Sequence, residues 1–354
     1  MQKKDNLKYL LYISSNDGTD MRINKEVRSL SAKYNVCFIG VSESAKTTSF
    51  IENYVFESHL IKGKRNHLIT ILKQITAYLK LVLKHPISSV HIVNEQLMIF
   101  FWPFLFFKHT VLDVFDSFFM RYGIKKRQYT IIKRIVYAPC DKVIVTDEAR
   151  KGLMPDFLQK KLIVLPNYPF RYHGPISKSS NEKSIRILFF GWLGMNRGGA
   201  VAKGLLENDK RIRLIMLGWF ADEDSRLLSN HPRAEYRGVV SQQMALEIAA
   251  SEVDYILCLY EPRNNLNIVY ASPNKVYDSI HTETPLIINP EVKIASLVED
   301  LNIGIVLPSY HVESFKALTN EMINKLGTYN FTEDLKKSYA WESVQGRLLL
   351  AHEL

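Results

Sequence analysis

The chain has 354 residues, 47% hydrophobic and 23% charged, which excludes a disordered protein and is enough for two domains with sizeable cores. Its net charge of +10 is uneven: residues 1–176 hold 27 Lys and Arg against 14 Asp and Glu, whereas residues 177–354 hold 19 against 22. Cys37, Cys140 and Cys258 are widely spaced, odd in number and without a CxxC, which argues against a disulfide framework and for a reducing cytoplasm.

Residues 1–5 are charged, but the apolar run at 9–13 is too short for a secretory signal. KYLLYI at 8–13 is a buried strand ended by the turn-rich SSNDGTD; residues 21–34 have helical spacing through Ile23, Val27 and Leu30; NVCFIGV at 35–41 is a second strand. A β–loop–α–β opening implies a parallel sheet. A helix at 68–83 and strands at 89–93, 110–114, 142–146 and 162–165 continue the alternation. Residues 58–94 and 117–140 each carry six basic residues and no acidic one, a pattern that suits an anionic membrane, nucleic acid, a phosphorylated substrate or a solvated basic face. Residues 97–107 form the longest apolar run, eleven residues with Pro103 inside. A membrane span needs roughly 20, so the expectation is a soluble or peripheral protein.

Residues 166–184, with three prolines, a glycine and four serines, read as a linker. The alternation then restarts with strands at 185–190, 212–217, 254–259, 285–288 and 304–307, and the tail after 331 reads as a helix or two. The fold class expected is α/β, with two doubly wound, Rossmann-like domains facing a central cleft. The first spans 1–170, the linker 171–184 and the second 185–330, and helix 331–354 crosses back to the first. In such sheets ligands bind beyond the carboxyl ends of the strands.

The richest stretch is NNLNIVYASPNKVYDSIHTETPLII at 264–288. Ser272 can cap a helix, Pro273 suits its first turn, and free N–H groups beside Asn274 and Lys275 make an anion site. Asp278 lies three residues on, on the same face as Lys275. Lys275 can neutralise a phosphate and Asp278 can accept from ribose hydroxyls; an ordinary helix start with a surface ion pair reads the same residues. The loop GWLGMNRGG at 191–199 has four glycines, with Arg197 as its cation. Gly191 and Gly198 allow its backbone to wrap a phosphate, although the spacing is neither GxGxxG nor a P-loop. In the first domain the loop after strand one offers Gly18, Asp20 and Arg22, and Asp113 and Asp116 end a later strand. HExxH and GxSxG are absent and the ten histidines do not cluster at metal-ligand spacing, so no metal is expected.

These segments resemble the GT-B glycosyltransferases, in particular the family 4 type that builds bacterial surface polysaccharides. The resemblance runs through DMRINKEVRSL, DKVIVTDEARKGL with VLPNYP, FFGWLGMNRGG, IMLG with YRGVV, SPNKVYDSIHTETPLII and Trp341-Glu342. It implies a retaining, metal-independent hexosyltransferase that needs no cofactor. The donor, a UDP- or GDP-sugar, binds the second domain; a saccharide or polyprenyl-diphosphate-linked acceptor binds the first, through Gly18, Asp20, Arg22 and Asp116. Arg197 and Lys275 bind the diphosphate and act catalytically, and Asp278 stands where the family has its second ribose-binding Glu. Gly191, Gly198, Asn265 and Asn274 complete the donor set. Two positions depart from the pattern: Tyr270 replaces the Glu that meets the donor sugar, and Phe115 replaces a His. Asn265, Asn267 and Asn274 can supply the missing hydrogen bonds.

The resemblance further implies a cytoplasmic enzyme, peripheral at the inner face of the membrane, with Phe100, Phe101, Trp102 and Phe104 between the basic windows meeting anionic lipid. The departures also allow a non-catalytic nucleotide-sugar-binding or partner subunit, and the fold allows a sugar-nucleotide epimerase. Nucleic acid is not an expected partner, as no recognition module is visible.

Overall fold

The computed structural model describes residues 7–42, 49–178 and 184–353. It divides into two compact units, Met1–Asn167 with Trp341–Leu354, and Tyr168–Ala340. The first holds a seven-stranded parallel sheet of β1 (Lys8–Ile13), β2 (Tyr34–Ser42), β3 (Glu57–Lys62), β4 (Ile87–Val93), β5 (His109–Asp113), β6 (Lys142–Val145) and β7 (Leu162–Val164), in the order 3-2-1-4-5-6-7. The second holds a six-stranded parallel sheet of β8 (Ile185–Leu193), β9 (Ile212–Phe220), β10 (Ala234–Tyr236), β11 (Tyr255–Cys258), β12 (Leu286–Ile288) and β13 (Gly304–Val306), in the order 10-9-8-11-12-13. Central strands such as β2 and β11 are buried throughout, because helices cover both faces. Apolar patterning missed β3 and β10, although the resemblance of YRGVV to a strand end marks the place where β10 ends. Both are edge strands and only partly buried, so no sustained apolar run marks them.

The described part of the expected linker is held to the second unit. The Ser177 N–H donates to the Ala250 carbonyl at 3.2 Å, and the Lys178 ammonium to the Ala249 carbonyl and Thr284 Oγ1, each at 2.5 Å. A lysine at the end of helix Gln242–Ser251 meets carbonyls that have no partner within the helix. The chain returns to the first unit from Trp341. Trp341 is fully buried, its indole N–H donates to Ser29 Oγ at 2.8 Å, and the Lys25 ammonium lies 5.1 Å from its ring centre.

Beneath the first sheet lies a buried polar cluster. Arg22 grips Asp113 with two nitrogens at 2.9–3.1 Å, pairs with Glu26 at 2.9 Å and donates to the Leu165 carbonyl at 3.0 Å. Tyr12 donates to Glu26 at 2.6 Å. Glu26, His91 and Asp113 offer ligand atoms within 4.8 Å of one another, but the Arg22 guanidinium already stands among the carboxylates as their cation. His352, from the C-terminal segment, lies 3.0 Å from His91 Nδ1 and 2.7 Å from Ser89 Oγ.

Burial holds both of these histidines neutral. It pushes His91 down to about 4, with Asp113 opposing and Arg22 assisting, and pushes His352 well below its usual value, with His91 and His109 adding to the effect. A depressed folded-state value means that the unfolded chain takes up the proton first. Stability is therefore lost as pH falls below about 6.5. Between pH 7 and 5, His352 is expected to account for part of that loss. Urea unfolding of His352→Gln should show a correspondingly flatter pH dependence than wild type. Glu26, Asp113, Arg22 and Tyr12 face His91 in both proteins, so the surroundings of His91 on that side are common to the comparison. Equal slopes would refute the assignment.

Candidate functional site

In the second sheet the chain reverses direction between β8 and β11, which adjoin. The loops beyond their carboxyl ends are where a doubly wound sheet opens a crevice. β8 runs three residues further than the sequence suggested, so Gly191 lies inside the strand and not in the loop. It pairs with Gly218 of β9, both have positive φ (+87° and +128°), and a Cβ on Gly218 would stand 2.0 Å from the Gly191 carbonyl oxygen. Only glycine permits this approach. Past it the two strands continue as a ribbon that pairs Trp192 with Trp219, both exposed.

The loop proper is Gly194 followed by a single turn of 3-10 helix, Met195–Arg197. Gly198, at φ +107°, then starts helix Gly199–Asn208. A Cβ there would reach 2.9 Å from Leu257 Cδ2, so the glycine lets this loop rest on the end of β11. Arg197 is half-buried, with its guanidinium 4.5 Å from the centre of the Tyr260 ring. Tyr260 is fixed in turn by Asn289, whose carboxamide accepts from the Tyr260 N–H at 2.9 Å and donates to its carbonyl at 3.0 Å. Asn289 also donates to Glu291 at 2.8 Å; Glu291 accepts from the Tyr310 N–H at 3.0 Å; and the Tyr310 hydroxyl donates to the Met195 carbonyl at 3.2 Å. Burial alone would raise the Glu291 carboxyl, but the bonds from Tyr310 and Asn289 outweigh it and hold the group low. The circuit ties the ends of β8, β11 and β12 into one frame, a rigid support for the cation it carries.

Lys275 enters the frame from helix Asn274–Thr282. The N-cap of that helix is Pro273, and no side chain caps it; Ser272, expected as the cap, instead shares a hydrogen bond of 2.8 Å with the Tyr277 hydroxyl. Pro273 therefore precedes the first turn and offers its N–H groups no side-chain acceptor of its own. The Lys275 ammonium donates to the Leu257 carbonyl at 3.0 Å and stands 5.1 Å from the Phe190 ring centre and 5.7 Å from that of Phe189. Its pKa is lowered, first by burial and then by repulsion from Arg197, with Cys258 and Asp278 opposing. Burial raises the Cys258 thiol to about 11, with Lys275 and Arg197 pulling it down and Asp278 pushing it up. Arg197, Lys275 and Asp278 are thus brought together around the end of β11. Among the described residues neither cation has a carboxylate within ion-pair distance.

The other expected donor residues are placed differently. Asp278 is buried, and Gln242 lies 3.5 Å from its carboxylate; the sequence held no signal for Gln242. Asn265 is the N-cap of the short helix Leu266–Val269, its side-chain oxygen accepting from the Asn267 N–H at 3.0 Å. Asn267 is buried and Asn274 opens the lysine's helix. Tyr270 follows the short helix, half-buried.

In the first unit, Asp20 caps helix Met21–Leu30, accepting from the Arg22 N–H at 2.9 Å. Arg22 is 2% exposed and its guanidinium is fully engaged. It binds the ends of β5 and β7 to this helix and is not presented to solvent. Gly18 lies against Ile51, in a loop organised by Asn16, whose side-chain oxygen accepts from the Gly18 N–H at 2.9 Å. Asp116 is exposed; Asn94, just past β4, accepts from the Phe115 and Asp116 N–H groups at 2.8 and 3.0 Å. Nothing in the sequence pointed to Asn94, because it joins segments 21 and 22 residues apart in the chain, whereas the Asn16 side chain acts within its own loop.

No protein-family model and no curated protein sequence matches the chain. Solved structures do. Sucrose-phosphate synthase from Thermosynechococcus elongatus aligns with a TM-score of 0.67 at 13% identity, over 98% of this chain and 95% of that one. Anabaena HepE, in complex with UDP and glucose, aligns at 0.64 and 10%, over 98% and 96%. The lipopolysaccharide outer core galactosyltransferase WaaB, in its apo form, aligns at 0.63 and 11%, over 98% and 99%. At this identity the likeness concerns the fold, which is carried end to end: two doubly wound parallel sheets give this chain the GT-B fold.

Proposed function

We propose that the chain is a retaining, metal-independent glycosyltransferase of the hexosyl type. It transfers a sugar from a UDP- or GDP-sugar to a saccharide or polyprenyl-diphosphate-linked acceptor in surface polysaccharide biosynthesis. One observation carries the reading: Arg197 and Lys275, two cations with no carboxylate within ion-pair distance among the described residues, meet at the crossover of the second sheet, and Lys275 itself rises from the first turn of a helix that follows Pro273. Such a place favours a diphosphate. The HepE neighbour, which binds UDP and glucose, supports it.

In the reaction proposed, the bond between the sugar C1 and the diphosphate oxygen breaks and its electron pair leaves with the nucleoside diphosphate. The acceptor hydroxyl oxygen bonds C1 from the same face, and its proton passes to the departing phosphate. Arg197 and Lys275 stabilise the charge that develops on the leaving group. Asp278 is assigned to the ribose and Asn265 and Asn274 to the donor, with Asp116 on the acceptor side. The proposed setting is the cytoplasm, at the inner membrane face, where the cations of the first half meet anionic lipid.

A thermal-shift panel of UDP, GDP, ADP and their sugar conjugates tests the donor site. A ligand at 100 times its Kd adds about 2.7 kcal/mol to the native state. One base is expected to raise the midpoint in wild type and to lose most of that effect in Lys275→Ala. No shift with any nucleotide would remove the donor reading. Tyr270 and Phe115, which stand in place of the family's Glu and His, favour a second reading as a nucleotide-sugar-binding subunit without turnover. A nucleotide shift with no release of nucleoside diphosphate in the presence of acceptor would select it.

A further inference from the structure

Among the described residues, fourteen of the 22 large hydrophobic side chains that are exposed lie between residues 68 and 135, all in the first unit. That concentration has a topological cause. The connections from β3 to β4, β4 to β5 and β5 to β6 cross the sheet in one direction, so right-handed crossovers put their helices on one side. These are helix Leu68–Lys84, helix Asn94–Phe101 with the turn Trp102–Phe104, and helix Thr130–Tyr137. They form one continuous layer. The Tyr78 hydroxyl donates to the Phe104 carbonyl at 2.8 Å, and the Trp102 indole donates to the Ile135 carbonyl at 2.7 Å.

Helix Leu68–Lys84 buries Ile71, Gln74, Tyr78 and Leu81 against the unit. Its outward side carries a second stripe at helical spacing, Ile69, Leu72, Thr76, Leu79 and Leu83, with Leu83 88% exposed. A helix on the surface of a globular unit normally turns a polar side outward. This stripe runs about 21 Å along the axis. Beside it stand Phe106 and Phe107, the latter 93% exposed, and beyond them Ile131, Ile132 and Ile135. The aromatic residues expected here from sequence differ in part: Phe100 is exposed, but Phe101 is buried and Trp102 and Phe104 are half-buried within the layer. Among the described residues no helix is long and apolar enough to cross a membrane.

Charge selects the occupant. The three elements carry one carboxylate, Glu95, and it is buried. Lys73, Lys80 and Arg134 are exposed between the apolar side chains. A second copy laid face to face would oppose these cations to themselves. We infer that this helical layer inserts shallowly into the headgroup region of an anionic bilayer, with apolar side chains entering the membrane and lysines and arginines at the level of the lipid phosphates. This is the arrangement of an interfacial amphipathic surface. It deepens the membrane part of the proposed function, whereas the nucleotide panel tests the donor part, so either can fail alone.

Sedimentation of the full chain with vesicles of phosphatidylcholine, alone or mixed with phosphatidylglycerol, tests it without nucleotide. Binding to the anionic vesicles is expected, with part of it surviving at about 0.5 M salt, where the screening length falls to a few ångströms. Leu72→Ser combined with Leu79→Ser is expected to weaken binding roughly tenfold at both salt concentrations. Both positions are exposed, and circular dichroism checks that the fold is kept. Lys73→Gln combined with Lys80→Gln should weaken binding mainly at low salt. The inference is overturned by no binding to either vesicle. It is equally overturned by binding that high salt abolishes and the serine variant leaves unchanged. Self-association in solution that the serine variant abolishes would assign the layer to a second copy instead.

Discussion

Lys275→Ala is expected to lower turnover by about 10²- to 10³-fold, the effect of removing one preorganised charge from a site where negative charge develops. For the proposed role, the residue is held by its own neighbours. Its ammonium stands 5.1 Å from the Phe190 ring centre and 5.7 Å from that of Phe189, and donates a hydrogen bond to the Leu257 carbonyl. Burial and the neighbouring Arg197 lower its pKa. A folded-state value below the unfolded one means that the charged lysine costs stability at neutral pH, a cost that lifts as pH rises above the folded-state value. The variant should therefore melt close to wild type while losing activity. A diphosphate reverses the balance, since it supplies the counter-charge that the two cations lack. Lys275→Arg is expected to restore little, because a planar fork does not replace a point charge in this aromatic cage. Initial rates of nucleoside diphosphate release, measured with melting curves on the same preparations, give the comparison. Unchanged turnover in Lys275→Ala would remove Lys275 from the mechanism.

Arg22→Met is expected to cost about 3–5 kcal/mol of stability at pH 7, because it leaves buried carboxylates without their cation. Asp113 and Glu26 are both fully buried. Burial raises the Asp113 carboxyl well above its usual value even with Arg22 opposing, and Glu26 raises it further. Burial alone would lower the Arg22 guanidinium, but Asp113 and Glu26 outweigh it and raise it. Without the arginine, the Asp113 carboxyl moves further up and takes a proton on folding. A raised folded-state value makes the penalty greatest above that value and relieves it as pH falls. Urea unfolding at pH 7 and pH 5 should therefore show a smaller deficit at the lower pH. Adding Asp113→Asn to Arg22→Met should recover part of the loss, since the neutral amide keeps the shape and removes the charge. A deficit that grows toward pH 5 would contradict the assignment. The acid sensitivity expected of His91 and His352 belongs to the same cluster and is separated from it by His352→Gln.

The two variants act at opposite ends of what the sequence could reveal. Lys275 was legible because its signals are local: a Ser-Pro helix start, a lysine at its first turn and an aspartate one turn on. Arg197 was legible for the same reason, in a short glycine-rich loop after a strand. Arg22 had a local signal too, beside the helix-capping Asp20, but its partners Asp113 and the Leu165 carbonyl lie 91 and 143 residues away. No spacing rule encodes such a contact, and the arginine, read as an acceptor-side group, is a buried clamp.

By itself the sequence determined the alternation of buried strands and helices, the restart near residue 185 and the concentration of positive charge in the first half. Each of these is written in apolar periodicity or composition, which neighbouring residues carry whatever they later touch. Tertiary structure alone decided that Gly191 belongs to β8 and not to the loop, that Asn289, Glu291 and Tyr310 brace the loop carrying Arg197, and that Asp278 is covered beside Gln242. It also decided which side of helix Leu68–Lys84 is covered and which is left open. Both stripes of that helix are apolar at helical spacing, so periodicity cannot choose between them. The choice is made by the sheet onto which the helix packs.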